Sequence, residues 1–249
     1  MATSGLTLKR LTNLQTGTNY FFRVTAVNKQ GVEGPFSNEA MATVNLIKPG
    51  QNMVQNGTFS QGTTPWIWTN NGTAAATWSI TNGAAYIHAT SPGTALSDIQ
   101  LRQAGLHLIL GKQYVLQFDA WALTRRVMEV RLGQDQSPWT SYYVADPSLT
   151  TAKQHFTYSF VMSAATDLGA RLMFNMGGAL GDIYFANVTI FNPPTGDLNL
   201  DGRVDLLDLQ KLARDWQKQQ SGLSTDLNGD GKVDFSDFGI MGENWSSGN

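Results

Sequence analysis

A chain of 249 residues with 41% apolar and 14% charged side chains can fill the cores of one large or two to three small domains, which excludes a disordered tail. With 17 Lys and Arg against 19 Asp and Glu the formal net charge is -2, and no basic cluster stands upstream to support a nucleic-acid or anionic-membrane footprint. The absence of cysteine excludes disulfides and thiol chemistry but does not locate the protein.

Abundant Gly, Thr, Asn and aromatic residues favour twisted sheets with many turns, so the expected class is mainly β. The acid is local: residues 195–249 hold ten acidic and five basic side chains, and the rest hold nine and twelve. The opening MATSGLTLKR has no apolar core for a secretion signal, and no run of about 18 apolar residues occurs, so no membrane insertion is expected. Two Pro/Gly breaks, IKPGQN (Ile47 to Asn52) and NPPTGD (Asn192 to Asp197), divide the chain into 1–48, 49–194 and 195–249.

The first segment contains NLQTGTNYFFRVTAVNKQGVEGPFSNEAMATV, with Leu14, Gly17, Thr18 and Tyr20 at a corner, then a strand through Val24 and Ala26, then Asn28 and Gly31. It resembles the last strands of a fibronectin type III module. A sheet pair without its opening strands cannot bury both inner faces, so this piece is expected to fray, to dock on a neighbour or to pair between chains.

The second segment runs through short alternating stretches, QYVLQFDAWA, RVMEVRLG, HFTYSFVM and ARLMFNMG, separated by turn residues, the pattern of a jelly-roll β-sandwich. The opening NMVQNGTF with Pro65 and Trp66, then IQLRQAGLHLILGKQYVLQFDAWA, PWTSYY and IYFANVTI, stand in the order found in carbohydrate-binding modules of the family 4 and 9 type, which the segment resembles over essentially its whole length. That resemblance implies a non-catalytic grip on a β-glycan. It also implies a structural calcium in the jelly roll, but Ser60 and Ala186 stand where such modules carry acidic residues, leaving Asp182 as the available substitute.

Alternation assigns faces independently of any resemblance. Leu116, Phe118 and Ala120 point inward, which turns Gln117, Asp119 and Trp121 out; likewise Gln100, Arg102, Glu129, Arg131, Arg171 and Asn175 face out. A sugar ring offers an apolar C–H face to an aromatic ring and hydroxyls to donors and acceptors. The candidate glycan-binding residues are therefore Trp121, Trp139, Tyr142 and Tyr143 as platforms with Tyr86 behind them, and Gln100, Arg102, Gln117, Glu129, Arg131 and Asn175 as polar partners. Core packing is the competing role for each ring, and is the expected role of Trp66 and Trp78.

The third segment holds DLNLDGRVDLLD and, 29 residues later, DLNGDGKVDFSD. Written as twelve-position loops, they place Asp197, Asn199, Asp201, Asp205 and Asp208, then Asp226, Asn228, Asp230, Asp234 and Asp237, at positions 1, 3, 5, 9 and 12. Gly202 and Gly231 make the turn at position 6, and Arg203 and Lys232 offer backbone carbonyls at position 7. This is the oxygen spacing of a calcium loop, with aspartate in place of the usual terminal glutamate. Apolar runs follow at matching offsets: Leu209, Leu212 and Trp216, then Phe238, Met241 and Trp245.

The segment resembles a type I dockerin over Gly196 to Trp245, which implies two calcium ions, one helix after each loop and a cohesin partner. Positions 10 and 11, associated in that family with partner choice, are Leu206 and Leu207 in one repeat and Phe235 and Ser236 in the other. The two halves differ there, which disfavours docking in two reversed orientations.

Catalysis has thin material. Glu129 with Asp119 is the one carboxylate pair considered for glycoside hydrolysis, and His88, His107 and His155 are scattered. The expectation is a non-catalytic C-terminal piece of a secreted, modular polysaccharide-degrading enzyme: a jelly roll holding β-glucan or xylan, and a calcium-folded dockerin attached to a cohesin on an extracellular or cell-surface scaffold. The alternatives are that the jelly roll is itself a hydrolase or lyase, or that it is only a protein–protein spacer.

Overall fold

The computed structural model describes residues 18–43 and 47–246, and the chain divides into two compact units, 1–47 and 48–249. The corner positions Leu14 and Gly17 lie outside the described residues.

In the first unit, β1 (Asn19–Phe22) pairs antiparallel with β2 (Ala40–Thr43), and Val27 bridges Glu33 across a turn. Asn28 Oδ1 closes that turn by accepting from the Gln30 and Val32 amides at 2.9 and 3.0 Å, while Gly31 takes the positive φ of 81°. Phe21, Val24, Phe36 and Met41 are exposed, since among the described residues the two-stranded ribbon has no second layer to bury them against.

The second unit opens with a β-sandwich. Its strands are β3 (Ile67–Asn70), β4 (Ala75–Thr81), β5 (Ala84–Ser91), β6 (Ile99–Leu108), β7 (Gln113–Ala122), β8 (Arg126–Val127) and β9 (Glu129–Gly133). They continue with β10 (Ser141–Ala145), β11 (Ser148–Leu149), β12 (Gln154–Val161), β13 (Asp167–Asn175) and β14 (Gly181–Phe191). One five-stranded sheet has the order β12-β7-β14-β5-β4 and the other β10-β9-β13-β6-β3, while β8 pairs with β11. All the pairings are antiparallel. The tight link from β4 to β5 is Asn82-Gly83, both at positive φ (51° and 73°), the dipeptide that matches the twist of a hairpin.

Inward residues of both sheets form one interior. Phe174 lies 4.6 Å from Phe185 and 5.3 Å from Phe118 between ring centroids, and Phe59 lies 5.3 Å from Trp66. Trp66 is core, as expected, at 6% exposure, and half-buried Trp78 stacks on Trp68 at 6.2 Å, bridging the sheets at the β3–β4 side. The buried Gln103 amide costs little because it is paired twice, accepting from Gln55 N at 2.7 Å and donating to Gln55 O at 2.8 Å.

Beyond Pro193 and Pro194 the same unit continues into two short helices, α1 (Leu206–Arg214) and α2 (Phe235–Glu243). Each begins on an aspartate cap, Asp205 or Asp234, and the aspartate three residues on returns a bond to the cap amide, closing a capping box. Val204, Leu212, Val233 and Met241 form their shared core. Trp216 and Trp245 lie just past the helix ends, because the chain leaves each helix at Asp215 and Asn244. The halves cross over: Gln217 N donates to Val233 O at 2.8 Å, and Ser246 N to Val204 O at 2.9 Å.

Replacing Phe118 with Ala should cost about 3–5 kcal/mol, since it removes a fully buried ring from the middle of the interior. Urea denaturation at fixed calcium, followed by tryptophan fluorescence, measures it.

Candidate glycan face and calcium loops

The outer face of β10-β9-β13-β6-β3 gathers most of the polar candidates in rows across strands. Glu129, Asn175 and Gln100 occupy one row, since Asn175 is in register with Glu129 on one side and Gln100 on the other. They are joined by hydrogen bonds: Gln100 Nε2 donates to Asn175 Oδ1 at 2.8 Å, and Asn175 Nδ2 to Glu129 Oε1 at 2.5 Å. Arg131 closes a fork on Glu129, through Nε at 3.0 Å and Nη2 at 2.9 Å. Arg131, Met173 and Arg102 form the next row.

The turn between β9 and β10 folds over this face. It is held by Gln134 N donating to Thr140 O at 2.9 Å and Trp139 N to Gln136 O at 2.8 Å. Asp135 in this turn accepts from Arg102 Nη1 at 2.8 Å and lies 3.5 Å from Arg171 Nη1. The Arg171 guanidinium in turn sits 4.7 Å from the Trp139 ring centroid, covering one ring face. Trp139 is 52% exposed, so its other face meets solvent.

Alongside is an open cleft of about 760 Å³ lined by Gly105, Gln134, Asp135, Tyr142, Thr166 and Asp167. Tyr142 Oη donates to Asp167 Oδ2 at 2.9 Å, and burial together with that carboxylate pushes its phenol up to about 12, so it stays a donor at any working pH.

Four sequence expectations need correction. Trp121, Gln117 and Tyr86 do not join this face: β7 and β5 belong to the other sheet, so these side chains emerge on the opposite side of the sandwich. Trp121 is also no free platform, for Tyr184 stacks on one ring face at 5.0 Å and 2°, and the Lys153 ammonium lies 5.6 Å from the ring centroid. Tyr86 continues the same stack, 4.9 Å from Tyr184. Gln117 spends its amide on the helical pair, donating to Leu200 O at 2.9 Å.

Tyr143 turns inward because the register shifts between Ser141 and Tyr143, and its ring packs 5.0 Å from Phe160. Asp182 cannot stand in for the missing acids at Ser60 and Ala186. Its Oδ1 accepts from Tyr86 Oη at 3.2 Å and lies 2.5 Å from His88 Nδ1, and four residues of strand separate it from Ala186, about 13 Å. Glu129 and Asp119 stand on opposite sheets and cannot flank one bond. Reading by alternation missed Tyr184 and Asp135: the first lies two residues from Asp182 on the outward side of β14, and the second sits in a turn where no period applies.

The two calcium loops share most of their internal bonds. Asp197 Oδ2 accepts from Gly202 N at 2.9 Å, as Asp226 Oδ2 does from Gly231 N at 2.8 Å. Asp208 Oδ1 accepts from Leu198 N at 2.7 Å and Oδ2 from Asp205 N at 2.9 Å; Asp237 makes the same bonds to Leu227 N and Asp234 N. Asn199 and Asp201, and Asn228 and Asp230, lie on the rim of each turn, and Asp205 and Asp234 lead into the helices.

Several acids are thus crowded at low exposure, Asp208 and Asp237 being fully buried. Among the described residues no Lys, Arg or His pairs with any of the loop carboxylates. Burial, with Asp201 and Asp208 adding repulsion, pushes the Asp197 carboxyl up to about 6. Such a set fits a hard divalent cation. It is not built of acids alone: no three acidic or His side chains among the described residues converge as a cage, and amide and backbone carbonyl oxygens at Asn199, Asn228, Arg203 and Lys232 would complete it. Leu206 (71% exposed), Leu207 (58%) and Phe235 (79%), with Ser236 beside it, open the two helices toward solvent.

A two-sheet sandwich with a polar, tryptophan-rimmed face and a duplicated calcium-loop plug defines a non-catalytic glycan-binding protein with an attachment module. The chain belongs to the carbohydrate binding domain family, whose model matches residues 51–182, and residues 195–243 match the type I dockerin domain. A solved structure described as "CBM4 structure and function" is 30% identical, covering 55% of this chain and 98% of its own, at a TM-score of 0.52. The second N-terminal cellulose-binding domain of Cellulomonas fimi β-1,4-glucanase C is 17% identical, covering 55% and 90%, at 0.46. The BiXyn10A CBM1 structure is 19% identical, covering 54% and 94%, at 0.47. No curated protein matches the chain. Both modules are non-catalytic: one binds carbohydrate, and the other, a calcium-binding dockerin, attaches to a cohesin.

On the opposite face, Asp119 accepts from His155 Nδ1 at 2.8 Å and Asn187 Nδ2 at 2.7 Å, with Lys153 Nζ 2.9 Å away. Burial alone would push its pKa up, but these donors outweigh burial and hold the carboxyl below the usual range. Because the folded-state value is depressed, the stabilisation is present above the ordinary aspartate value and is lost as pH falls through the folded one. Asp119→Asn should cost about 1 kcal/mol at neutral pH, allowing for screening of the exposed Lys153 and His155. The difference should close in urea titrations as pH falls through the depressed folded-state value.

Proposed function

We propose that the outer face of β10-β9-β13-β6-β3 holds single chains of a neutral β-glycan, β-glucan or xylan in type, with Trp139 as the stacking platform. The supporting observation is the row of Gln100, Asn175 and Glu129 tied to Arg131. Buried Asn175 holds the half-buried Gln100 and Glu129 on either side of it in fixed positions, as a run of sugar hydroxyls requires of its donors and acceptors. Arg102 and Arg171, which share the Asp135 carboxylate, extend that surface toward the tryptophan.

The chain works outside the cell as modules, residues 49–194 and 195–249, of a longer polysaccharide-degrading enzyme. It carries two calcium ions, one per loop, held by Asp197, Asn199, Asp201, Arg203 O, Asp205 and Asp208 and by their counterparts Asp226, Asn228, Asp230, Lys232 O, Asp234 and Asp237. Leu206, Leu207, Phe235 and Ser236 contact the cohesin. Holding substrate near a catalytic domain, and the domain near its scaffold, raises effective concentration without any bond being broken here.

Affinity electrophoresis against lichenan, laminarin, xylan and galactan tests the reading. A β-glucan or xylan should retard the chain, and Trp139→Ala should weaken that retardation about tenfold or more, about 1.4 kcal/mol, whereas Trp121→Ala should not. Unretarded migration in every gel would leave the module a spacer. Calorimetry with calcium should give two ions per chain, and Asp201→Ala with Asp230→Ala should melt only the C-terminal helices, read as lost helical circular dichroism.

A further inference from the structure

The two calcium loops repeat in sequence but not in surroundings. In the first, the carbonyl of Leu200 at position 4 accepts from Gln117 Nε2 of β7 at 2.9 Å. Gly202 at position 6 faces the edge of the Phe191 ring, where a Cβ would lie 3.5 Å away, and the same Cβ would lie 3.5 Å from Gly50 O. From the other side, a Cβ on Gly50 would collide with Gly202 O, so only a glycine, here at φ +79°, lets the two backbones meet. Gly50 is itself pinned by its amide donating to Asn192 O at 2.8 Å, and Asn192 Nδ2 donates to Gln113 O at 2.8 Å.

Among the described residues the second loop shows no such contact with the sandwich; its support comes from the stretch after α1, where Gln219 bridges Lys232 and Lys218 O accepts from Val233 N at 3.1 Å. A Cβ on Gly229 or Gly231, the equivalents of Leu200 and Gly202, would meet no atom within 4 Å. The first aspartate is buried in one loop, Asp197 at 6% exposure, while its counterpart Asp226 is half-buried.

We infer that the sandwich forms a third wall of the first calcium loop, so that Gln117, Gly50 and Phe191 pre-form that loop and make it the tighter of the two sites. A loop already held in its turn loses less conformational freedom when it closes on an ion, and affinity rises by that saving. Coupling is reciprocal: an ion in the first loop stabilises its contact with the sandwich by the same factor. The glycan face and the cohesin-facing helix starts are then locked into one body by calcium, rather than joined by a swivel at Pro193 and Pro194. This rests on the proposal that each loop binds one ion.

The test is calcium titration calorimetry on the full chain. The parent should show two unequal sites, and Asp230→Ala should remove the weaker one. Gln117→Ala, which deletes one hydrogen bond and leaves both rings of ligands intact, should weaken the tighter site about 2–10-fold and leave the other unchanged. Gly50→Ala should weaken it further, and Gln117→Ala carries the test should Gly50→Ala fail to fold. Equal sites in the parent, or a Gln117→Ala chain whose melting curve and two affinities match the parent, would overturn the coupling while leaving calcium binding intact. No calcium uptake by the parent would overturn the two-ion reading and the coupling with it.

Discussion

Phe118, Phe174 and Phe185 pack against one another between two five-stranded sheets, and that contact decides which side chains are left for water. Each residue the interior takes turns its chain neighbours to the other side of the sheet, so Phe174 in the core places Asn175 and Met173 on the outer face, where both stay covered, and Val130 places the half-buried Glu129 and Arg131 there. The polar rows are thus a by-product of packing before they are a site. Their rigidity has the same origin: a residue whose neighbours are buried on both sides has little freedom to turn away, and a surface preset in this way loses less entropy on meeting a sugar chain.

The opposite surface shows what the same rule produces without an open ring face. Trp121, Tyr184 and Tyr86 stand on three neighbouring strands, β7, β14 and β5, and stack on one another. Cross-strand aromatic pairs of this kind stabilise a sheet, and they do so by consuming the surfaces a pyranose would need. Trp139 differs in being held in a turn, with the Arg171 guanidinium against one ring face. An aromatic ring keeps an open face here by leaving the sheet.

What could be read from the sequence divides along the same line. The orientation of individual residues was legible, because alternation is local: Gln100, Arg102, Glu129, Arg131 and Asn175 all point outward. Their grouping was not, because β6, β13 and β9 are neighbours only through crossovers that no local period encodes, and so Gln117 and Trp121 were assigned to the same face from the other sheet. Tyr143 was misread for a smaller reason, a register shift that reverses the side of every later residue in β10. The calcium loops were legible because the spacing of their oxygens is contained within twelve residues, and the bonds from Asp197 to Gly202 and from Asp226 to Gly231 stay inside each loop.

What remained hidden in the loops is their inequality. Two copies of one motif, 29 residues apart, should by symmetry close on an ion alike. The first is broken out of that symmetry by its position directly after β14: the chain passes Pro193 and Pro194 and returns at once to the sandwich, where Phe191 and Gly50 are already in place to receive Gly202. The second copy lies a helix further on and leans on the stretch after α1, where Gln219 bridges Lys232, instead of on the sandwich. Duplication therefore supplied two similar cradles, and chain connectivity alone made one of them part of the carbohydrate module. The differing side chains at the helix starts, Leu206 and Leu207 against Phe235 and Ser236, break the symmetry a second time, on the side that meets solvent.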